Sequence, residues 1–325
     1  VSQATPTVGD VRPKGLAAWV VSRPRRISRW FSQRGPEAGL GYLLILPALA
    51  VFGVFTFFPF LENFDIAART SPPYSYLPHK LVWFHQFQQT IFTSTFLSSL
   101  EATAIFVGIS VPLGLFLGLA LAVFANQKLR GMAIFQVIFS STAVTSVAVA
   151  GVIFYTILSP SNGIVQSLGI NLSPGIQSSP GWAIYAVAGV SAWQVLGFSF
   201  ILMIAGLQSM PEEVIEASRI DGATAWKSFW RVIVPLMSPT IFFAGVIGTI
   251  VALQNLGTIN ILIGGQGQEE FTHTQVLIAY LYNLLSVPPA NYGAAACVSI
   301  ALFGITLLAT VVQFRVLERR VHYGA

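Results

Sequence analysis

Four polar side chains stand close together in an otherwise apolar stretch: Gln254, Asn255, Thr258 and Asn260. Amides and a hydroxyl donate and accept hydrogen bonds without ionising, so the chemistry open to them is recognition of polar groups rather than acid–base or covalent work. On a continuous helix Gln254 and Thr258 are four apart and Asn255 is three before Thr258, which gathers the three on one face with Asn260 on its flank. In a second apolar stretch, Trp193 and Gln194 offer a ring face for stacking or packing and a further amide. Inside a bilayer such groups either tie helices together or line a wet cavity, and the residues alone leave both readings open. The hydroxyl-rich run Ser140, Ser141, Thr142, Thr145 and Ser146 reads as close helix packing.

Other chemistries are missing. There is no G-x-x-x-x-G-K-[ST] string, and Gly265-Gln266-Gly267 lacks the preceding strand and third glycine of a dinucleotide loop. The lone Cys297 cannot form an intrachain disulfide, and His79, His85, His273 and His322 are too scattered for a metal site. No Lys, Arg, Asp or Glu sits well inside an apolar stretch, where an ion-driven pump places its relay group. No nucleophile has an identifiable base, so the chain reads as a non-enzyme without metal or cofactor of its own.

Composition fixes the solvent of these residues. The 325 residues are 54% hydrophobic and 9% charged, with a mean hydropathy of +0.71, which is the profile of an integral membrane protein. Charge-free runs long enough to cross a hydrocarbon core of about 30 Å predict an all-α, six-span protein. The spans fall near Leu40–Leu61, Ala102–Ala125, Met132–Leu158, Trp182–Leu207, Leu236–Ile263 and Tyr292–Phe314. The organisation is a basic tail over 1–36, a membrane domain over 37–316 with a long loop at 209–235, and a short tail over 317–325.

Of the 17 Lys and Arg residues, 15 fall in the N-terminal tail, the Lys128–Arg130 turn, the 209–235 loop or the C-terminal end from Arg315 onward, and the exceptions are Arg69 and Lys80. These regions share one side of the membrane in a six-span topology, so the positive-inside rule predicts cytoplasmic termini in a multi-pass plasma (inner) membrane protein. The net charge of +5 therefore records orientation and not a nucleic-acid partner. In the second span, Gly114 and Gly118 form a small-x-x-x-small pair suited to close approach of another helix of the same chain.

The loop carries a pattern of its own. Ser209 followed by Glu212 reads as a capping box that starts a helix. Glu212, Glu216 and Arg219 share one face, while Val214, Ala217 and Ile220 share another. Asp221-Gly222 ends that helix, and a second follows with Trp226, Phe229, Trp230 and Ile233 as its apolar residues, Lys227 and Arg231 as its cations, and Pro235 and Pro239 at its bend into the fifth span. A helix pair with exposed aromatics either lies in the lipid interface or fits a groove on another protein.

These residues resemble the EAA loop of the permease subunits of ATP-binding-cassette importers, in which Glu-Ala-Ala is followed at fixed spacing by Gly and Ile-x-Leu-Pro. Here Glu216-Ala217-Ser218 precedes Gly222 and then Val232-Ile233-Val234-Pro235 with the spacing intact; Ser218 and the valines are the departures. The stretch with Ile220-Asp221-Gly222-Ala223 is similar to the carbohydrate-uptake branch, as are Ala192-Trp193-Gln194, Gly264-Gly265 and Tyr292-Gly293-Ala294-Ala295-Ala296. Residues 311–323, VVQFRVLERRVHY, resemble the end of glycerol-3-phosphate permeases.

The resemblance implies a heterodimeric pore built with a second homologous permease, an extracytoplasmic solute-binding protein, and two cytoplasmic nucleotide-binding subunits that hold ATP and Mg. It implies that Glu212, Glu216, Ala217, Arg219, Asp221, Gly222 and Ala223 couple to the ATPase, and that Trp193, Gln194, Gln254, Asn255, Thr258 and Asn260 line the path of a sugar or glycerol-phosphate-type solute. A phosphate would need a cation that these spans lack, so the second permease would supply it. The alternative is a stand-alone channel or facilitator without coupling to ATP.

Overall fold

The computed structural model describes residues 35–70, 80–127, 130–159, 163–168, 180–263 and 275–317. The basic tail to residue 34, Pro72, Pro73, Pro78, His79, Lys128, Gly264, Gly265, Gln266, Gly267, Glu269, Glu270, His273 and the tail from 318 lie outside them, as do the side chains of Glu212 and Arg219. The chain divides into two units, Val1–Glu62 and Asn63–Ala325.

Helix α1 (Gly35–Phe52) of the first unit runs through a π-helical turn at Gly53–Phe57 into α2 (Phe58–Ala67), whose residues from Asn63 belong to the second unit. The wide turn falls just before Pro59, which has no N–H to give to the carbonyl four residues back. Apolar side chains from Tyr42 to Leu61 are exposed along this span, as a lipid-facing or partner-facing helix requires.

The second unit is helical among the described residues, apart from an isolated antiparallel bridge between Arg69 and Leu81. Its helices are α3 (His85–Ile91), α4 (Ser94–Ala125), α5 (Met132–Val144), α6 (Val147–Leu158), α7 (Pro180–Gln208), α8 (Glu212–Ile220) and α9 (Ala225–Leu236). They continue with α10 (Ser238–Leu253), α11 (Leu256–Ile263), α12 (Leu277–Ser286) and α13 (Tyr292–Leu317). The all-α, polytopic expectation holds: four helices cross a bilayer by length and composition, and six spans result when each bent pair counts as one.

Four expectations need correction. The third span is two helices, α5 and α6, bent by 103° at Thr145–Ser146. Its hydroxyls explain the break, because Ser141, Thr142 and Thr145 bond back to the carbonyls of Ile138, Phe139 and Ser141 and compete with the helix ladder. The fifth span is also two pieces, since α10 stops at Leu253 and α11 restarts at Leu256. The second span begins at Ser94, about two turns before Ala102, so Glu101 lies within the helix, exposed. Finally, α3 and α12 form helices inside what reads as loop, because their short apolar faces find cover: Phe87 lies against Ala67 and Cys297, and Leu277 is fully buried beside Phe96 and Val298.

At the centre, α4 and α7 cross closely. An added Cβ at Gly114 would stand 2.6 Å from Val195 Cβ, and one at Gly118 would stand 2.7 Å from Ser199 Cβ. The glycine pair therefore serves packing within the chain, as its spacing predicts. Apolar clusters flank this crossing, one around Phe106, Val187, Ile259 and Leu262 and another around Phe200, Met203 and Met237.

Candidate functional site

About two turns of α7, from Ser191 to Gly197, meet both broken spans. Gly197 receives the end of α5 so closely that a Cβ there would overlap Thr142 Oγ1 and stand 2.6 Å from Ala143 N. Trp193 packs edge-on against Phe154 of α6, with ring centroids 5.2 Å apart. Gln194 Oε1 accepts from Asn255 Nδ2 and from Thr258 Oγ1, each at 3.1 Å, and Asn255 Nδ2 also donates to Ser191 Oγ at 3.1 Å. The other half of the Asn255 amide caps α11, since Oδ1 accepts from Thr258 N at 3.3 Å, the N-cap role for which asparagine is favoured.

The reading of Gln254, Asn255 and Thr258 on one helical face does not hold, because the helix is interrupted between them. Asn255 and Thr258 turn inward to α7, and Thr258 is fully buried. Gln254 ends α10 with an exposed side chain that finds no hydrogen-bond partner among the described residues. Asn260 is half-buried, also without a partner among them. Ser191 belongs to the cluster, although sequence reasoning passed over it: a serine in an apolar helix carries no signal of its own until the amide that it meets is located. Of the hydroxyl run, Thr142 packs on Gly197, whereas Ser141 and Ser146 are exposed at the break, so packing accounts for only part of it. No ionisable side chain belongs to the cluster, which offers neutral hydrogen bonding and an aromatic face.

The second candidate is the α8–α9 pair. Gly222 adopts φ +75°, and Ala223 N donates to Ser218 O at 3.0 Å, the pattern in which a left-handed residue closes a helix. This is the turn predicted at Asp221-Gly222. α8 starts at Glu212 and Ser209 Oγ donates to Gly206 O at the end of α7; the Glu212 side chain of the expected capping box lies outside the described residues. Thr224 opens α9, which passes through a π-helical turn at Phe229–Ile233 ahead of Pro235 and bends by 67° into α10.

Ser218 and Ser228 bind the two helices together through buried hydroxyls 2.9 Å apart. Replacing Ser218 alone by Val is expected to cost about 1–3 kcal/mol by leaving Ser228 poorly satisfied, while Ser218→Ala with Ser228→Ala recovers most of it. Limited proteolysis of the loop reads the difference. The outward face is apolar, with Ile220 85% and Trp226 70% exposed alongside Val214, Ala217 and Trp230. Trp226 stacks on Phe229, and Trp230 meets both rings edge-on, with centroids 5.0–6.2 Å apart, an aromatic ridge.

Residues 110–323 match the family model described as "Binding-protein-dependent transport system inner membrane component". The chain belongs to this family. It is thus the membrane component of a binding-protein-dependent transport system, in agreement with the permease expected from the loop. Among curated relatives, the sn-glycerol-3-phosphate transport system permease protein UgpA of Rhizobium meliloti is 31% identical over 294 residues, covering 89% of this chain and 98% of the relative. Its counterpart in Agrobacterium fabrum is 30% identical over the same length and shares. A solved chain of a bacterial alginate ABC transporter, in complex with alginate pentasaccharide-bound periplasmic protein, is 22% identical with a TM-score of 0.75. That match covers 91% of this chain and 100% of the solved one, and it shows the shared fold.

Proposed function

We propose that this family member is one half of the pore of an ATP-driven importer for a small polyhydroxylated solute, a glycerol phosphate or a sugar. The solute class follows the names of the UgpA relatives and suits the exposed neutral amide of Gln254 at the break in the fifth span. The single observation that carries the coupling is the apolar α8–α9 face, with Ile220 and Trp226 exposed on a helix pair joined by the Ser218–Ser228 hydrogen bond. Exposed aromatic anchors on a fixed scaffold are what a groove on a partner recognises.

In this reading, two cytoplasmic subunits bind ATP and Mg and close on the loop, where Glu212, Glu216, Ala217, Arg219, Asp221, Gly222 and Ala223 form the docking element. The termini are cytoplasmic, as the basic regions require. A second permease completes the pore and supplies the cation that a phosphate needs. The binding protein delivers solute from the opposite side.

Reconstitution tests it. Proteoliposomes holding this chain with both partner types and the binding protein are expected to accumulate sn-glycerol 3-phosphate or a sugar only with ATP inside. Flux through the chain alone would make it a channel instead.

A further inference from the structure

The second halves of the two broken spans pack on each other. Ile261 of α11 lies 3.1 Å from where a Cβ on Gly151 of α6 would stand, and Val147 of α6 lies 3.0 Å from the same point on Gly257 of α11. Each half joins its first half through non-helical residues, Thr145–Ser146 and Gln254–Asn255. Along most of its length α11 touches α7 through apolar side chains, Ile259 and Leu262 beside Ile184, Val187 and Ala188. Contacts of that kind fix register weakly. At the hinge end the hold is directional, through the bonds from Asn255 and Thr258 to Ser191 and Gln194.

Hydrogen-bond accounting separates the polar residues of span five. Both ends of the Asn255 amide are engaged and Thr258 is fully buried, so neither is free to meet a solute in this state. Gln254, one residue away, is exposed, and its amide has no partner among the described residues. Gln194 is only half satisfied: its Oε1 accepts two bonds, while its Nε2 is buried without a partner among the described residues. An orphaned buried donor destabilises the arrangement that contains it, which lowers the barrier to a second arrangement in which that donor is used.

We infer that α6 and α11 move as one gate on the two hinges, that Ser191, Gln194, Asn255 and Thr258 are the tether holding the gate to α7, and that Gln254 at the hinge is the span-five residue that contacts solute. The inference rests on the permease reading. Asn255 and Thr258 are positioning residues, since they act on the path through α11.

Hydrogen exchange in the assembled complex in nanodiscs tests the tether without any solute. Thr258→Val keeps shape and removes the hydroxyl, and Thr258→Ser restores it. The valine variant is expected to exchange about fivefold faster over 256–263, with 238–253 unchanged and the serine variant like wild type. Equal exchange in all three overturns the tether.

Uptake of labelled sn-glycerol 3-phosphate gives the second readout: Thr258→Val should alter Vmax with KM within about twofold, and Gln254→Ala should raise KM about fivefold with exchange unchanged. A raised KM with normal Vmax in Thr258→Val would instead assign the cluster to the solute, and an unchanged KM in Gln254→Ala removes that residue from the path. Gln254→Cys is expected to label this chain with a membrane-impermeant thiol reagent where the wild-type chain stays unlabelled, because Cys297 is buried; an inert thiol overturns its exposure to the path. A wild-type complex that imports none of this solute defeats the glycerol-phosphate reading, and the exchange and thiol results still decide the gate.

Discussion

Gly222→Pro is expected to leave the chain in the membrane at normal abundance and to reduce uptake and solute-stimulated ATPase activity of the assembled importer by about two orders of magnitude, the effect of losing a docking hot spot. Gly222 sits at φ +75° between α8 and α9, and proline is confined near −65°. The substitution therefore cannot be absorbed locally. It must swing α8 relative to α9, parting Ser218 from Ser228 and splitting the apolar face that carries Ile220 and Trp226. Gly222→Ala is the control: a Cβ there meets nothing within 4 Å, so its cost is the left-handed backbone alone, about 1 kcal/mol, and most uptake survives. Glu216→Lys, which reverses an exposed charge on the docking helix without touching the turn, should also uncouple while preserving insertion. Immunoblots of membranes report abundance, and phosphate release in proteoliposomes reports coupling. Full ATPase stimulation with Gly222→Pro would remove the loop from the coupling role.

The turn at Gly222 was legible because backbone geometry there depends on one residue type, and the spans were legible because a bilayer imposes length and hydropathy on any helix that crosses it. The breaks were harder. Between Thr145 and Ser146 no proline or glycine marks the bend; it arises from hydroxyls that bond back to their own helix and from the seat that Gly197 provides on another helix. Asn255 reads equally well as a helical amide or a cap, and the partner that decides, Ser191, is 64 residues distant in sequence. Spacing could place Gln254 beside Thr258 only by assuming a ladder that Asn255 interrupts. Local rules thus found which residues mattered, while the division between tether and path depends on long-range pairing that sequence order hides.

Gly114→Leu is expected to have the largest structural effect, costing more than about 3 kcal/mol, beyond the usual range for overpacking, and abolishing recovery of monodisperse complex. A Cβ at Gly114 would stand 2.6 Å from Val195 Cβ and 2.8 Å from Ala192 O, and a backbone carbonyl cannot rotate aside as a side-chain tip can. The helices would have to separate. Val195 Cγ1 also lies 3.6 Å from the Cβ position of Gly248 on α10, so the displacement passes from α4 through α7 to the fifth span. Gln194 is adjacent to Val195, which means that the same shift pulls its amide from Asn255 and Thr258. Gly108→Ala on α4 is the matched control, since nothing lies within 4 Å of its added Cβ, and it should be neutral or slightly stabilising. Fluorescence-detected size exclusion across a temperature ramp measures both. The milder Gly114→Ala tests transmission: at a temperature where the complex remains intact, it should still speed exchange over 256–263, because the strain created between α4 and α7 is relieved where the tether to α11 is weakest.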